Sequence, residues 1–267
     1  MRNLPISLYV ITKNEADRLD RMLSPIANYV DEIVVVDSGS VDETCDIAKS
    51  YGAKVYFREW SGYADQKKYA ESLCANKWLL NLDADEVVNS EFVDELFRIF
   101  NNEKKQKYSG YNINIRFVLP FEKNPRRFVK SFNVLRLYDR TKARIPESKK
   151  FSIHDRPILE TGIAGQISSC IAHYSFRSLS DIERKSFEAS NDQARNIRFK
   201  NKSIGGIRLV AEFPIQFIKF YLIRRFIFMG WYGVVLSILF AQRQLMRLAK
   251  AKEMELMELN LEGESGK

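Results

Sequence analysis

Short apolar runs rich in β-branched residues recur along the first third of the chain, and segments with helical spacing separate them. The runs are "ISLYVI" (6–11), "EIVVVD" (32–37), "KVYF" (54–57) and "WLLNL" (78–82), and the helical segments lie at about 16–26, up to about residue 50, and at 64–73. Alternation at this spacing predicts right-handed βαβ units and a parallel sheet, and therefore an α/β fold. Runs such as "IVVV", which are apolar at every position, predict that helices cover both faces of the sheet.

The pattern changes after residue 85. "GYNINIRFV" (110–118) and "SFNVLRLY" (131–138) alternate between apolar and polar residues with a period of two, which predicts longer strands with one buried face. A charged segment with helical spacing then runs from Leu179 to Phe199. These elements extend the predicted domain to about residue 202.

A hydrophobic segment flanked by arginines follows between Arg224 and Glu253. It has roughly 16 uncharged residues, or about 24 Å of helix, against about 30 Å for the hydrocarbon core of a bilayer. A spanning helix would also carry one arginine cluster across the membrane, so an in-plane or re-entrant helix is the preferred interpretation. The alternative is a helical hairpin that packs on the domain itself. We therefore predict a domain at 1–202, a membrane-associating helical region at 203–253 and a disordered tail at 254–267.

Composition narrows the classes of function. The 267 residues suffice for one large α/β domain with an appendage, and the formal net charge of +8 calls for an anionic partner such as a membrane surface, a polyanion or an anionic substrate. Cys45, Cys74 and Cys170 are widely spaced, which argues against a disulfide framework or a zinc knuckle. Because His154 and His173 are the only histidines, a metal site would depend on oxygen ligands.

Polar side chains follow three of the early strands at the point where each strand ends. They lie at 12–15, 37–40 and 83–86. Ligands of open parallel sheets bind at the carboxyl ends of the strands, so these groups are expected to converge. Asp83 and Asp85 lie two residues apart and share one face of an extended chain, where a divalent cation such as Mg²⁺ or Mn²⁺ would relieve their repulsion. The alternative is a charged loop after a strand.

The segment "DSGSVDET" (37–44) supports two interpretations. Ser40 and Glu43 have the spacing of a capping box and Gly39 permits a tight turn, so these residues are predicted to start a helix. Asp37 is different, because a carboxylate at a strand end can accept hydrogen bonds from a ribose hydroxyl or a base N–H.

The motifs "VITKNE", "VVVDSGSVDET" and "WLLNLDADE" occur in the order and with the spacing typical of one family. The chain resembles family 2 glycosyltransferases of the GT-A fold, and most of all the subgroup of lipopolysaccharide inner-core β-1,4-glucosyltransferases. The likeness continues in "GYADQKKYA", "LRLYDRTKARI", "SIHDRP", "IAHYSFRS" and "RRFIFMGWYG", and so covers nearly the whole chain. It implies a mostly parallel, Rossmann-like sheet with flanking helices, followed by a C-terminal amphipathic and hydrophobic helical region.

The resemblance also implies roles for individual residues. Asp155 would be the general base, Asp85 would ligate the metal together with Asp83, and His173 would either complete the metal shell or anchor a strand end, the anchor being preferred. The residues implied in nucleotide-sugar binding are Thr12, Glu15, Asp37, Gln66, Lys67 and Asp83. Relatives often have asparagine where this chain has Lys68, which puts a contact that needs an amide in question.

The implied chemistry is an inverting displacement at an anomeric carbon. Asp155 would take the acceptor proton, a Mg²⁺ or Mn²⁺ ion would neutralise the leaving diphosphate, and Lys67 or Arg136 could pair with phosphate oxygens. His154, beside the proposed base, is either a structural hydrogen-bonding residue or a ligand. The implied partners are a nucleotide sugar such as UDP-glucose, a lipid-linked saccharide acceptor and the cytoplasmic face of the inner membrane, without nucleic acid.

Three alternatives stay open at this point. The first is another glycosyltransferase of cell-envelope polysaccharides. The second is a sugar-phosphate nucleotidyltransferase, although the "TKNEAD" segment lacks the glycines that a phosphate-binding loop after the first strand requires. The third is a non-catalytic protein that docks on nucleic acid through its positive charge, although its basic residues form no nucleic-acid-binding motif.

Overall fold

The alternating segments of the N-terminal half form the strands and helices of a layered α/β unit. A computed structural model describes residues 3–101, 107–126, 128–146, 155–200 and 204–265, with side chains up to residue 259. The strands are β1 (Leu4–Thr12), β2 (Val30–Asp37), β3 (Lys54–Phe57), β4 (Trp78–Asn81), β5 (Glu86–Val87), β6 (Gly110–Phe117), β7 (Phe132–Asp139), β8 (Ala143–Arg144), β9 (Ile158–Leu159) and β10 (Ala164–His173). The helices are α1 (Ala16–Leu23), α2 (Thr44–Ser50), α3 (Tyr63–Leu73), α4 (Ser90–Asn101), α5 (Leu179–Phe199), α6 (Gly206–Ile218) and α7 (Trp231–Ser265).

Eight of the strands form one mixed sheet in the order β3-β2-β1-β4-β7-β6-β10-β5. Strands β1 to β4 are parallel to one another, β7 is antiparallel to β4 and β6, and β10 is parallel to β6. Strands β8 and β9 pair separately. The predicted α/β fold with a mostly parallel sheet is therefore confirmed, and β1 to β4 form the parallel part that the βαβ spacing predicted.

Helices cover both faces of the sheet because alternate residues of its buried strands point to opposite sides. Leu8 and Val10 of β1 pack in one apolar cluster with Leu19 of α1. Tyr9 packs on the opposite face, in a second cluster with Ala70 of α3. The central strands are thus buried on both faces, as their uninterrupted apolar runs predicted.

One element boundary differs from the prediction. The helix expected at about 16–26 ends at Leu23, and a separate 3₁₀ turn covers Ala27–Tyr29. Pro25 follows directly after the helix cap at Ser24, and a proline cannot continue a helix because it lacks the N–H and its ring blocks the preceding turn.

The described chain divides into two compact units. The first comprises residues 1–125, 131–148 and 153–175, and the second comprises residues 126–130, 149–152 and 176–267. The domain boundary predicted between residues 202 and 203 lies outside the described residues. The first unit contains the eight-stranded sheet and, among the described residues, those that the sequence singled out for chemistry.

The second unit is helical. Helices α5 and α6 both pack against α7, and a small core of Ala194, Ile204, Leu248 and Ala251 lies among them. Helix α7 continues to Ser265, where the sequence predicted a disordered tail from residue 254. That stretch is rich in Glu, Leu and Met, which favour helix, so the helix continues. Within the described residues, no helix has both the length and the apolar character needed to cross a bilayer.

Candidate active site

The carboxylate of Asp37 lies at the end of β2 and accepts hydrogen bonds from neutral donors. In the sheet register it lies opposite Thr12 of β1, whose hydroxyl donates to Oδ1 over 3.1 Å. The backbone N–H groups of Gly39 and Ser40 donate to Oδ2 over 2.9 and 2.8 Å, and Gly39 adopts a φ of +87° that favours glycine. Burial raises the pKa of Asp37, but the donors of Ser40, Gly39 and Thr12 outweigh it and lower the pKa below its ordinary value.

The predicted capping box at Ser40 and Glu43 is wrong. Helix α2 begins at Thr44, and its N-cap residue, Glu43, makes no side-chain capping bond. The backbone N–H of Thr44 donates to Asp42 over 3.1 Å instead. The hydroxyl of Ser40 instead donates to Asp37 over 2.5 Å and accepts from the backbone N–H of Asn14 over 2.8 Å. Ser40 therefore connects the loops after β1 and β2, because its oxygen accepts from Asn14 rather than from an N–H group at the start of the helix.

Asp83 follows β4 and is held by two buried cations. Lys67 Nζ lies 2.9 Å from Oδ1, and Arg136 Nη2 lies 2.7 Å from Oδ2. Arg136 also contacts Glu86 and donates from Nη1 to Asn81 over 2.8 Å. Burial raises the pKa of Asp83, but Arg136 and Lys67 outweigh it and hold the pKa far below its ordinary value. Asp83 is therefore a carboxylate at neutral pH.

Lys67 joins Asp83 to the residue that the sequence singled out as a base. Its ammonium group lies 2.7 Å from Oδ2 of Asp155, and the lysine side chain is 1% exposed. Burial lowers the pKa of Lys67, but Asp83 and Asp155 together outweigh it and raise the pKa above its ordinary value. Asp155 keeps 22% of its side chain exposed, and the contact with Lys67 involves one of its two carboxylate oxygens.

Asp85 lies between a guanidinium and an imidazole. Arg18 Nη1 is 3.3 Å from Oδ2, and His173 Nε2 is 3.1 Å from Oδ1. Burial raises the pKa of Asp85, but His173 and Arg18 outweigh it and lower the pKa. Burial lowers the pKa of His173, but Asp85 outweighs it and raises the pKa. Strand β10 positions His173, whose ring stacks on Phe117 with a centroid distance of 5.3 Å.

Arg18 also connects Asp85 to Glu15. Oε2 of Glu15 lies 3.5 Å from the same Nη1 atom. The backbone N–H of Glu15 donates to Thr44 at the start of α2 over 2.9 Å, which ties the loop after β1 to the loop after β2. Glu15, Asp37 and Asp85 therefore converge at one edge of the sheet, as the parallel topology predicted.

Gln66 and Lys67 are neighbours on α3 that serve different parts of this edge. The amide of Gln66 donates to Ser38 over 2.7 Å and to the carbonyl oxygen of Arg58 over 3.0 Å. Gln66 therefore supports the loop after β2, next to Asp37, whereas Lys67 contacts the carboxylates after β4. His154 lies outside the described residues.

The side chains at this edge can be compared with the ligands that a divalent ion requires. Among the described residues, no three His, Cys, Asp or Glu side chains surround a common point as a protein-only metal site would. Asp85 and His173 nevertheless adjoin each other, and Mg²⁺ or Mn²⁺ commonly completes its shell with phosphate oxygens and water. Among the described residues, the acidic side chains placed at this edge outnumber the arginines and lysines that contact them. The acidic residues are Glu15, Asp37, Asp83, Asp85, Glu86 and Asp155, and the basic residues are Arg18, Lys67 and Arg136. This negative excess fits a divalent ion.

The sequence reasoning did not single out Arg18 or Asn81. Arg18 lies three residues after Glu15 at the start of α1, a spacing that places two side chains on one helix face and that was the available signal. Asn81 is the last residue of β4, and its contact with Arg136 depends on the antiparallel pairing of β4 with β7. Pairing partners of this kind cannot be read from local spacing.

Comparisons with known proteins agree with this architecture. The family model "Glycosyl transferase family 2" matches residues 7–172. An uncharacterised glycosyltransferase of Rickettsia felis is 36% identical over 261 residues, which cover 96% of this chain and 92% of the relative. The lipopolysaccharide core biosynthesis glycosyltransferase LpsC of Rhizobium meliloti is 26% identical over 227 residues, which cover 82% of this chain and 81% of the relative.

A more distant similarity is found among solved structures. Glucosyl-3-phosphoglycerate synthase from Mycobacterium tuberculosis, in complex with Mn²⁺ and UDP-glucose, is 21% identical. The match covers 42% of this chain and 43% of that one, with a TM-score of 0.33. The family match and the full-length relatives decide the assignment: this chain belongs to the family 2 glycosyltransferases.

Proposed function

We propose that this glycosyltransferase moves a hexose, with UDP-glucose as the expected donor, onto a lipid-linked saccharide such as the inner core of lipopolysaccharide, with inversion at the anomeric carbon. One observation carries the proposal. The carboxylates expected to bind the nucleotide, the metal ion and the acceptor proton lie at one sheet edge, joined through Arg18 and Lys67. A donor and an acceptor bound at that edge would meet.

Different parts of the nucleotide-sugar donor would bind at the two ends of this edge. Asp37 and Glu15, with Thr12 and Gln66 in support, would hold the uridine, because carboxylates accept hydrogen bonds from ribose hydroxyls and base N–H groups. Asp85, with His173 beside it, would hold a Mg²⁺ or Mn²⁺ ion, and Lys67 would place positive charge near the diphosphate. Asp83, already bound to Lys67 and Arg136, would position those cations and accept from the ribose or from a metal-bound water.

The displacement needs one base and one leaving group. Asp155 would accept the proton of the acceptor hydroxyl while that oxygen forms a bond to the anomeric carbon. The bond from the anomeric carbon to the diphosphate oxygen breaks in the same step, and its electron pair leaves with the diphosphate. When bound, the divalent ion supplies charge neutralisation at that diphosphate. Lys67 would keep the Asp155 carboxylate in place. Because the acceptor oxygen attacks the anomeric carbon directly, no covalent sugar–enzyme intermediate is required.

The lipid-linked acceptor is proposed from the second unit and from a relative. The segment 215–231 exposes a series of apolar side chains, namely Ile215, Ile218, Leu222, Ile223, Ile227, Phe228 and Trp231. Lys219 and Arg225 are exposed within the same segment. Apolar side chains interleaved with cations suit an anionic bilayer surface, which would present a lipid-linked substrate. LpsC, whose name assigns it to lipopolysaccharide core biosynthesis, resembles most of this chain.

The test is a transfer assay with the full chain, radiolabelled nucleotide sugars and lipid extracts, with Mn²⁺, with Mg²⁺ or with a chelator. We expect label to enter the lipid fraction from UDP-glucose only when a divalent ion is present. Asp155→Asn should bind UDP like the wild type and transfer about 10²–10⁴-fold more slowly, because general base catalysis is worth about that much.

Asp46→Asn is the matched control, since that carboxylate is 81% exposed on α2, and it should transfer at the wild-type rate. Wild-type turnover in Asp155→Asn would mean that the base lies elsewhere. Absence of UDP binding, or incorporation of label only from a nucleoside triphosphate and a sugar phosphate, would contradict the proposed function itself.

A further inference from the structure

Arg18 is a buried cation between two carboxylates with different proposed roles. It lies in the first turn of α1, and its side chain is only 9% exposed. One terminal nitrogen, Nη1, serves both Asp85, at 3.3 Å, and Glu15, at 3.5 Å, while Nε lies 4.0 Å from Asp17. A guanidinium stays charged at any physiological pH, so this cation is permanent.

The second terminal nitrogen of Arg18 is the unusual feature. Nη2 is buried and has no hydrogen-bond partner among the described residues. A buried guanidinium usually uses its nitrogens in pairs, because the planar fork matches the two oxygens of a carboxylate or phosphate. A buried donor without an acceptor costs stability, so a ligand that supplied the acceptor would relieve that cost.

We propose that Arg18 is an additional donor-binding residue, whose guanidinium shares Asp85 with the metal ion and supplies positive charge to the diphosphate of the nucleotide sugar. The inference rests on the proposed function, which assigns Asp85 to the metal and Glu15 to the uridine. Arg18 is the side chain that contacts both. The ligand class is therefore a nucleoside diphosphate accompanied by a divalent cation.

This arrangement makes Arg18 act in opposite directions on the two ligands. Arg18 and a metal ion compete for the Asp85 carboxylate, so the arginine weakens the binding of the ion when no nucleotide is bound. A diphosphate is an anion, so the same arginine strengthens its binding. A residue that merely supports the fold would weaken the binding of both ligands when it is removed.

The experiment measures binding by the folded full-length protein rather than turnover. Mn²⁺ binding is followed by electron paramagnetic resonance without nucleotide, and UDP and uridine binding by calorimetry at saturating Mn²⁺. In Arg18→Met we expect tighter Mn²⁺ binding and UDP binding weaker by about 10- to 100-fold, the range of a hydrogen bond to a charged group, with uridine affinity little changed. Arg18→Lys keeps the positive charge without the planar fork of the guanidinium. Its affinities for Mn²⁺ and for UDP should lie between those of Arg18→Met and the wild type.

Arg21→Met is the matched control on the same helix. Its guanidinium packs 4.5 Å from the ring centroid of Tyr174, and this substitution should leave Mn²⁺ and UDP affinities at the wild-type values. If Arg18→Met does not fold, by its thermal unfolding profile, the comparison is made with Arg18→Lys alone. Weaker binding of both Mn²⁺ and UDP, or wild-type affinity for both, would overturn the role of Arg18. Failure of the wild-type protein to bind UDP would instead overturn the proposed function.

Discussion

Three carboxylates at the sheet edge are kept ionised by different kinds of donor. Asp37 accepts from hydroxyl and backbone N–H groups, Asp83 is paired with Lys67 and Arg136, and Asp85 lies between Arg18 and His173. Neutral donors stabilise a carboxylate without adding net charge, which suits a site for an uncharged nucleoside. Cationic partners suit the part of the edge expected to bind the diphosphate.

The lowered pKa of Asp37 predicts a pH-dependent effect of Asp37→Asn on stability. A carboxylate with a lowered pKa in the folded state stabilises fully above its unfolded pKa, and that contribution is lost as the pH falls through the folded pKa. The free energy of unfolding should therefore differ between wild type and variant by about 1–3 kcal/mol near neutral pH and by less near pH 3.

Urea unfolding at the two pH values measures this difference. Asp46→Asn, at an exposed position on α2, should change the free energy of unfolding by less than about 0.5 kcal/mol at either pH. A difference between wild type and Asp37→Asn that stays constant or grows as the pH falls would show that the hydrogen bonds to Asp37 do not stabilise its ionised form.

At the scale of elements, the β6–β7 pair positions the cation that holds Asp83. Strand β7 carries Arg136 and runs antiparallel to β4, which brings the arginine to the end of that strand. Gly110 begins β6 opposite Tyr138 of β7. A Cβ atom at Gly110 would lie 2.8 Å from Leu135 Cδ1 and 3.0 Å from the backbone oxygen of Leu137. The close approach of these two strands therefore requires glycine.

We expect Gly110→Ala to destabilise the first unit by about 1–3 kcal/mol, the usual cost of overpacking, since the backbone oxygen of Leu137 cannot move without disturbing the sheet. The measurement is the urea midpoint of the full chain. Gly205→Ala is the control, because nothing lies within 4 Å of the added methyl group and its φ is −76°. Equal midpoints for the two variants would mean that β6 and β7 separate at little cost.

At the scale of the whole molecule, the excess of positive charge and the exposed apolar residues point to the same kind of partner. The chain carries a formal net charge of +8, and the second unit exposes Ile223 at 61% and Trp231 at 66%. Exposed side chains of this size are normally solitary on soluble surfaces, whereas here they recur over the short segment 215–231. An anionic bilayer would bind both the charge and the apolar side chains.

Flotation with vesicles of phosphatidylglycerol and phosphatidylcholine tests this interpretation. We expect the wild-type protein to float with the anionic vesicles and to be partly released at about 0.5 M salt, where surface charges are screened. The double variant Ile223→Glu/Trp231→Glu should remain at the bottom of the gradient. Its new carboxylates would be repelled by the anionic headgroups and would be costly to bury among the acyl chains.

Leu256→Glu provides the control for the added charge, as it lies on α7 outside the segment and is 50% exposed. It should float like the wild-type protein. Equal flotation of the double variant and the wild type would rule out the segment 215–231 as the membrane contact.

The sequence by itself determined the elements and the edge at which chemistry would gather. The apolar runs of β1 to β4 require burial on both faces, and parallel strands bring their carboxyl ends together, so the convergence of Glu15, Asp37 and Asp85 followed from local pattern and topology rules. The family also followed from the sequence, because each motif is a contiguous run of residues and the motifs occur in a fixed order.

The tertiary structure alone decided which charges far apart in the sequence form pairs. Arg18 contacts Asp85 across 67 positions of sequence, and Lys67 contacts Asp155 across 88. No local spacing encodes such pairs, since they depend on how α1, α3 and the segment before β9 pack around the sheet. For the same reason Ser40, which has the spacing of a helix cap, accepts instead from the backbone N–H of Asn14, 26 positions away, because the fold brings the loops after β1 and β2 together.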